Sequence, residues 1–112
     1  MELVAVYGTL KQGQYNHPVL TRQGAEYLGT DILYGWAMYD LGAFPCVVPM
    51  ELSGSIVVEV HKVADLRATD RLEGYPGFYD RVQVATHYGS AWMYFMREVP
   101  YGAKVINSGV WE

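Results

Sequence analysis

The sequence predicts a strand-dominated α+β domain, a curled sheet or small barrel edged by two short helices. Short apolar runs bounded by glycine or proline recur along the whole chain, at the length of strands. Only two segments carry helix start signals. So many strands in 112 residues favour a sheet that curls on itself. The length suits one domain over residues 1–112, large enough for a core without disulfide staples.

The first strand organises the rest. Leu3-Val4-Ala5-Val6 is a continuous apolar run that ends in Tyr7-Gly8-Thr9-Leu10, the pattern of a strand buried in mid-sheet. Such a strand delivers its last residues to the sheet end, where a glycine lets the backbone turn sharply and approach a ligand. The amides of Gly8, Thr9 and Leu10 then form a cradle for a carboxylate or oxyanion. Read more plainly, Gly8 only closes a turn.

Lys11 to Asn16 is polar and glycine-containing, a loop, and His17 to Arg22 reads as a short helix with Pro18 in its first turn. Ala25 to Tyr39 reads as one extended segment. Ile32, Tyr34, Trp36 and Met38 alternate there with Leu33, Gly35, Ala37 and Tyr39, apolar on both faces, so the segment is expected to be buried or to line a barrel. Asp40 to Pro45 is a turn, and Cys46-Val47-Val48 a short strand ended by Pro49. Ser55 to His61 places Ile56, Val58 and Val60 on one face and Val57, Glu59 and His61 on the other. Asp65 is the expected N-cap of a helix from Leu66 to Glu73, stopped by Gly74 and Pro76. Phe78 to His87 returns as a strand, and Gly89 turns it into Ala91 to Met96, the clearest hairpin. The tail from Tyr101 to Glu112 is irregular by pattern.

Composition excludes several classes. A net charge of −4 with no Lys/Arg run argues against a nucleic-acid surface. The single cysteine, Cys46, permits no internal disulfide, and in its apolar run it reads as a packing residue rather than a nucleophile. The N-terminal segment resembles neither a signal peptide nor a membrane span, so a cytoplasmic protein without a membrane partner is expected. His17, His61 and His87 fall on different elements without ligand spacing, so no metal site is expected. Gly8-Thr9-Leu10-Lys11 lacks the further glycines of a phosphate loop.

Glu73 does not fit a purely structural account. It lies seven residues after Leu66, two helical turns on and on the same face as that apolar side chain. A carboxylate is also unfavourable in the last turn of a helix, at the negative end of the macrodipole. Burial would raise its pKa toward that of a useful general acid and base. The alternative is an ion pair with Arg71 or Arg81. Tyr79 and Arg81 share a strand face just after the Gly74–Gly77 turn and are candidates to point a phenol and a guanidinium toward Glu73. Otherwise Tyr79 caps the core edge and Arg81 only pairs with Glu73.

Taken together, these segments resemble the γ-glutamyl cyclotransferase-like family, which includes γ-glutamylamine cyclotransferase and the avirulence-induced plant proteins. Tyr7-Gly8-Thr9-Leu10 followed by Asn16-His17 is similar to its opening loop. Tyr39 to Pro45 is similar to its Leu-Tyr-Asp-Leu-Gly-x-aromatic-Pro segment. Asp70-Arg71-Leu72-Glu73-Gly74-Tyr75-Pro76, with Tyr79 and Arg81, is similar to the segment bearing its acid/base glutamate. Ser108-Gly109-x-Trp111 is similar to a closing motif of bacterial members. Val58 departs from the family where many members have glycine, and Val110 where many bacterial members have aspartate.

The resemblance implies a small mixed β-barrel with a few short flanking helices. It implies a cyclotransferase without metal or organic cofactor that converts a γ-glutamyl amide into 5-oxoproline and a free amine. Glu73 would be the general acid/base, Tyr7, Gly8, Thr9 and Leu10 would hold the γ-glutamyl part, and Tyr79 and Arg81 would lie beside the substrate. Two rivals remain open: a non-catalytic small-ligand-binding module of the same fold, and an interaction protein that docks through a tyrosine-rich surface.

Overall fold

The apolar run near the start of the chain becomes the central strand. β1 (Glu2–Val6) lies between β5 (Ser55–Val63), antiparallel to it, and β7 (Gly89–Phe95), parallel to it. Its alternate side chains feed two cores, Ala5 with Tyr7 on one side and Val4 with Val6 on the other. A computed structural model describes residues 1–50 and 54–112. Its remaining elements are α1 (Pro18–Thr21), β2 (Glu26–Tyr34), β3 (Trp36–Asp40), β4 (Pro45–Pro49), α2 (Arg67–Glu73), β6 (Asp80–Thr86) and β8 (Lys104–Ile106). One sheet has the order β2-β5-β1-β7-β6 and the other β4-β3-β8.

The expected long segment Ala25 to Tyr39 is two strands in two sheets. Gly35, at φ +90°, breaks it, donating its amide to Gly54 and accepting from Met50. Nor is the segment buried on both faces, because β2 is an edge strand whose Ile32 and Tyr34 are 50% and 78% exposed. The tail, irregular by pattern, supplies β8, which pairs with β3 through only three residues.

The five-stranded sheet curls until β2 approaches the turn beyond its far edge, between β6 and β7. The Asp31 carboxylate on β2 accepts the His87 amide at 2.8 Å and lies 2.7 Å from His87 Nδ1. Beside it, Tyr88 reaches over Gly29, where an added Cβ would stand 2.0 Å from the phenolic oxygen. Side chains make this contact, so among the described residues the strands pair as two open sheets and no ladder closes a barrel. Among the described residues, backbone hydrogen bonds from Met96 N–H to Val47 O and from Val57 N–H to Gly109 O tie the two sheets together.

Inside the curl lie Met38, Val47, Ile56, Val58, Val60 and Met93. Outside it, Leu20 of α1 and Leu66 pack over Val4, Val6 and Val63. α2 starts one residue later than expected. Its N-cap is Leu66 rather than the expected Asp65, whose Oδ1 accepts the Arg67 amide at 3.0 Å from one residue further out, and Gly74 ends the helix in the left-handed region at φ +65°. No helix among the described residues is long and apolar enough to cross a membrane.

Candidate functional site

β1 runs out into a cavity of about 220 Å³. The residues after it, Tyr7, Gly8, Thr9 and Leu10, form one wall. Glycine is required at position 8 by close packing, since a Cβ there would stand 2.8 and 2.9 Å from the ring carbons of Pro45. Its φ lies outside the left-handed region, yet the chain bends at Gly8 as expected and turns through Thr9 and Leu10, with the Lys11 amide donating to Gly8 O at 3.1 Å.

The loop beyond is tied by its carbonyls. Asn16 donates its amide to Thr9 O (2.8 Å) and its side chain to Thr9 Oγ1 (3.0 Å), while His17 Nδ1 donates to Leu10 O (2.9 Å). From below, Glu59 Oε1 accepts the Gln12 amide at 2.9 Å and stands 3.1 Å from Nε2 of the buried His61. The amides of Gly8, Thr9 and Leu10 donate to no protein acceptor among the described residues. They are therefore available to an anion.

Glu73, the last residue of α2, lines the same cavity. Burial alone pushes its carboxyl up to about 7. Neither expected ion pair forms among the described residues. Arg81 Nη1 instead grips both oxygens of Asp70 at 2.6 and 2.5 Å, with its guanidinium over the rings of Tyr75 (4.3 Å) and Trp92 (4.7 Å). Arg81 is thus absent from the cavity lining, and both readings that aimed it at Glu73 are corrected. The other six expected site residues all line the cavity.

The phenols shape the site. Tyr79 donates to Pro45 O at 2.6 Å and Tyr7 to Tyr94 O at 2.9 Å, and burial pushes both well above the usual phenol range. Their protons are committed, which leaves Glu73 as the group that titrates near neutrality. Cys46 is fully buried, outside the lining, and burial pushes its thiol up to about 11. That is a packing residue.

Among the residues to which the sequence assigned no role at the site are Tyr94 and Asp70. Tyr94 forms part of the cavity floor and donates to Asp70 at 2.6 Å. Asp70 in turn receives both Tyr94 and Arg81, which fixes the helix that carries Glu73. A buried tyrosine in a strand needs a hydroxyl partner, and that signal pointed to such a network without naming it. Neither Val58 nor Val110 lines the cavity, and Val58 is a core residue. The closing motif is structural. Gly109 lies so near β5 that a Cβ would meet Ser55 O at 2.2 Å, and Trp111 packs on the core and offers its carbonyl to Lys11 Nζ at 2.6 Å.

Residues 4–112 match the family described as Gamma-glutamyl cyclotransferase, AIG2-like. The gamma-glutamylcyclotransferase family protein YtfP of Escherichia coli K12 is 36% identical over 110 residues, covering 96% of this chain and 94% of that one. A crystal structure of an uncharacterized Pyrococcus horikoshii protein superposes with a TM-score of 0.79 at 33% identity, over 98% of this chain and 89% of that one. That of a mouse aig2-like protein gives 0.74 at 26% identity, over 90% and 80%. The chain belongs to the gamma-glutamyl cyclotransferase, AIG2-like family.

Proposed function

We propose that the protein is a cyclotransferase that converts a γ-glutamyl amide into 5-oxoproline and a free amine. The observation that carries this reading is the pairing, in one cavity, of a carboxyl poised near neutrality with a row of unused backbone amides. The α-amine of the substrate attacks its own γ-carbonyl, forming the ring C–N bond. Glu73 takes a proton from that amine and passes one to the departing nitrogen as the amide C–N bond breaks. Atoms balance without an external nucleophile, so holding the substrate folded supplies much of the acceleration. Such orientation effects are worth several kcal/mol. The amides of Gly8, Thr9 and Leu10 bind the substrate carboxylate or the oxyanion of the tetrahedral intermediate. Tyr79 borders the substrate, and Arg81 acts through Asp70 on the helix that carries Glu73.

The test is to incubate purified protein with a panel of γ-glutamyl amides and measure 5-oxoproline. Release of 5-oxoproline with an equal quantity of amine is expected. Saturable binding without product from any amide would replace this reading with that of a ligand-binding module.

A further inference from the structure

The mouth of the cavity carries a feature that neither ring closure nor the anchoring of the γ-glutamyl part uses. Exposure rises from the floor, where Tyr7, Leu10 and Tyr94 are buried, to the lip, where Leu72 is 40% and Phe78 57% exposed. Phe44, half-buried, meets Phe78 edge-on with ring centres 5.8 Å apart. These three side chains come from the turn before β4, from α2 and from the segment before β6, and they converge only in the folded chain. An apolar cluster left in water at the lip of a pocket is a place where part of a ligand is buried.

The charges around the cavity narrow the choice. Among the described residues that line it, Glu73 is the one carboxylate, and no lysine, arginine or histidine is present. A cationic substituent on the leaving amine finds no acid there except the one needed for proton transfer. An anionic substituent finds no cation. Either would lose solvation at the lip without compensation.

We infer that Phe44, Leu72 and Phe78 form a subsite for the amine half of the substrate, one that selects γ-glutamyl amides of uncharged, apolar alkyl or arylalkyl amines over those of amino acids or diamines. This rests on the reaction proposed above. Phe78 is the main specificity determinant, because it is the most exposed of the three and presents the most apolar surface to a substituent.

The experiment compares γ-glutamyl amides of 3-methylbutylamine, benzylamine, 1,5-diaminopentane and leucine. Initial rates of 5-oxoproline release give kcat/KM for each, and calorimetry on the same protein gives the Kd series if no amide turns over. The two apolar amides are expected to exceed the diamine and leucine amides by roughly tenfold or more, the scale on which apolar pockets discriminate. Phe78→Ser should bring that ratio toward one, and Leu72→Ser serves if the first variant does not fold. Equal or better use of the charged amides overturns the subsite, as does an unchanged ratio in a folded lip variant. Ordered affinities with no 5-oxoproline from any amide overturn the reaction and leave the subsite standing. Failure of all four to bind overturns the subsite.

Discussion

A carboxyl whose burial moves it to about 7 couples catalysis and stability to the same proton. Because the folded value lies above the unfolded one, ionising Glu73 weakens the fold, and its stabilising contribution is lost as pH rises from about 4.5 to about 7. Glu73→Gln should therefore match the parent in stability at acid pH and exceed it near pH 8, by at most about 3 kcal/mol. Turnover should fall by about two to four powers of ten, the usual worth of a general acid–base group. In the parent, kcat/KM should climb with pH through about 7. Glutamine protein that releases 5-oxoproline at the parental rate would remove Glu73 from the mechanism. Gly8→Ala tests the opposite wall. Its methyl would press on the Pro45 ring, which cannot swing aside as a flexible chain would. A loss of roughly 1–3 kcal/mol and weaker ligand binding are expected, read by urea melts and calorimetry. Both residues were legible because their local patterns were odd: a carboxylate on an apolar helix face, and a glycine closing an apolar strand. The reason for Gly8 was not, since Pro45 lies far along the chain.

At the level of elements, α2 holds Glu73 in place through the residue one turn earlier. Asp70 receives Arg81 and Tyr94, two side chains from the β6–β7 hairpin, and thereby ties the helix to the sheet. The Arg81 side chain is 20% exposed, and among the described residues its Nε is buried without a partner and Asp70 is its one carboxylate. Asp70→Ala should cost about 1–3 kcal/mol and reduce turnover by displacing Glu73. A double-mutant cycle separates this network from the pairing that spacing alone suggested. Asp70 and Arg81 should couple by at least about 0.5 kcal/mol, whereas Glu73 and Arg81 should be additive. Strong coupling of Arg81 with Glu73 and none with Asp70 would reinstate the ion pair. The helix end at Gly74 and the β6–β7 hairpin were readable because glycines mark them locally. Which carboxylate Arg81 would choose was not, since Asp70 and Glu73 lie one turn apart on the same helix.

Across the whole molecule, what spacing could not convey is how the sheet curls. The apolar alternation of Ile56, Val58 and Val60 foretold a buried face on β5. Nothing local foretold that Gly35 would send β2 and β3 into different sheets, or that three tail residues would complete the second one. Those outcomes depend on partners supplied by distant segments. The contact of β2 with the β6–β7 turn is the sharpest case, because its shortest hydrogen bonds are made by a buried carboxylate, Asp31, 56 residues from its partner His87. Hydrogen bonds, first of all from the His87 amide, hold this carboxyl below the usual range for aspartate. Its stabilising contribution is therefore complete above the unfolded value, near pH 4, and is lost as pH falls through the lower folded value. Asp31→Ala removes the acceptor and leaves the His87 amide without it, at a cost of about 1–3 kcal/mol at neutral pH. The gap between parent and variant should stay constant from about pH 5 to 7 and narrow below about pH 4. Faster hydrogen exchange at the His87 amide should accompany it, while the strand amides of β1 stay protected. Urea melts that run parallel at neutral and acid pH, with the His87 amide unchanged, would show that the curl is held by the core alone.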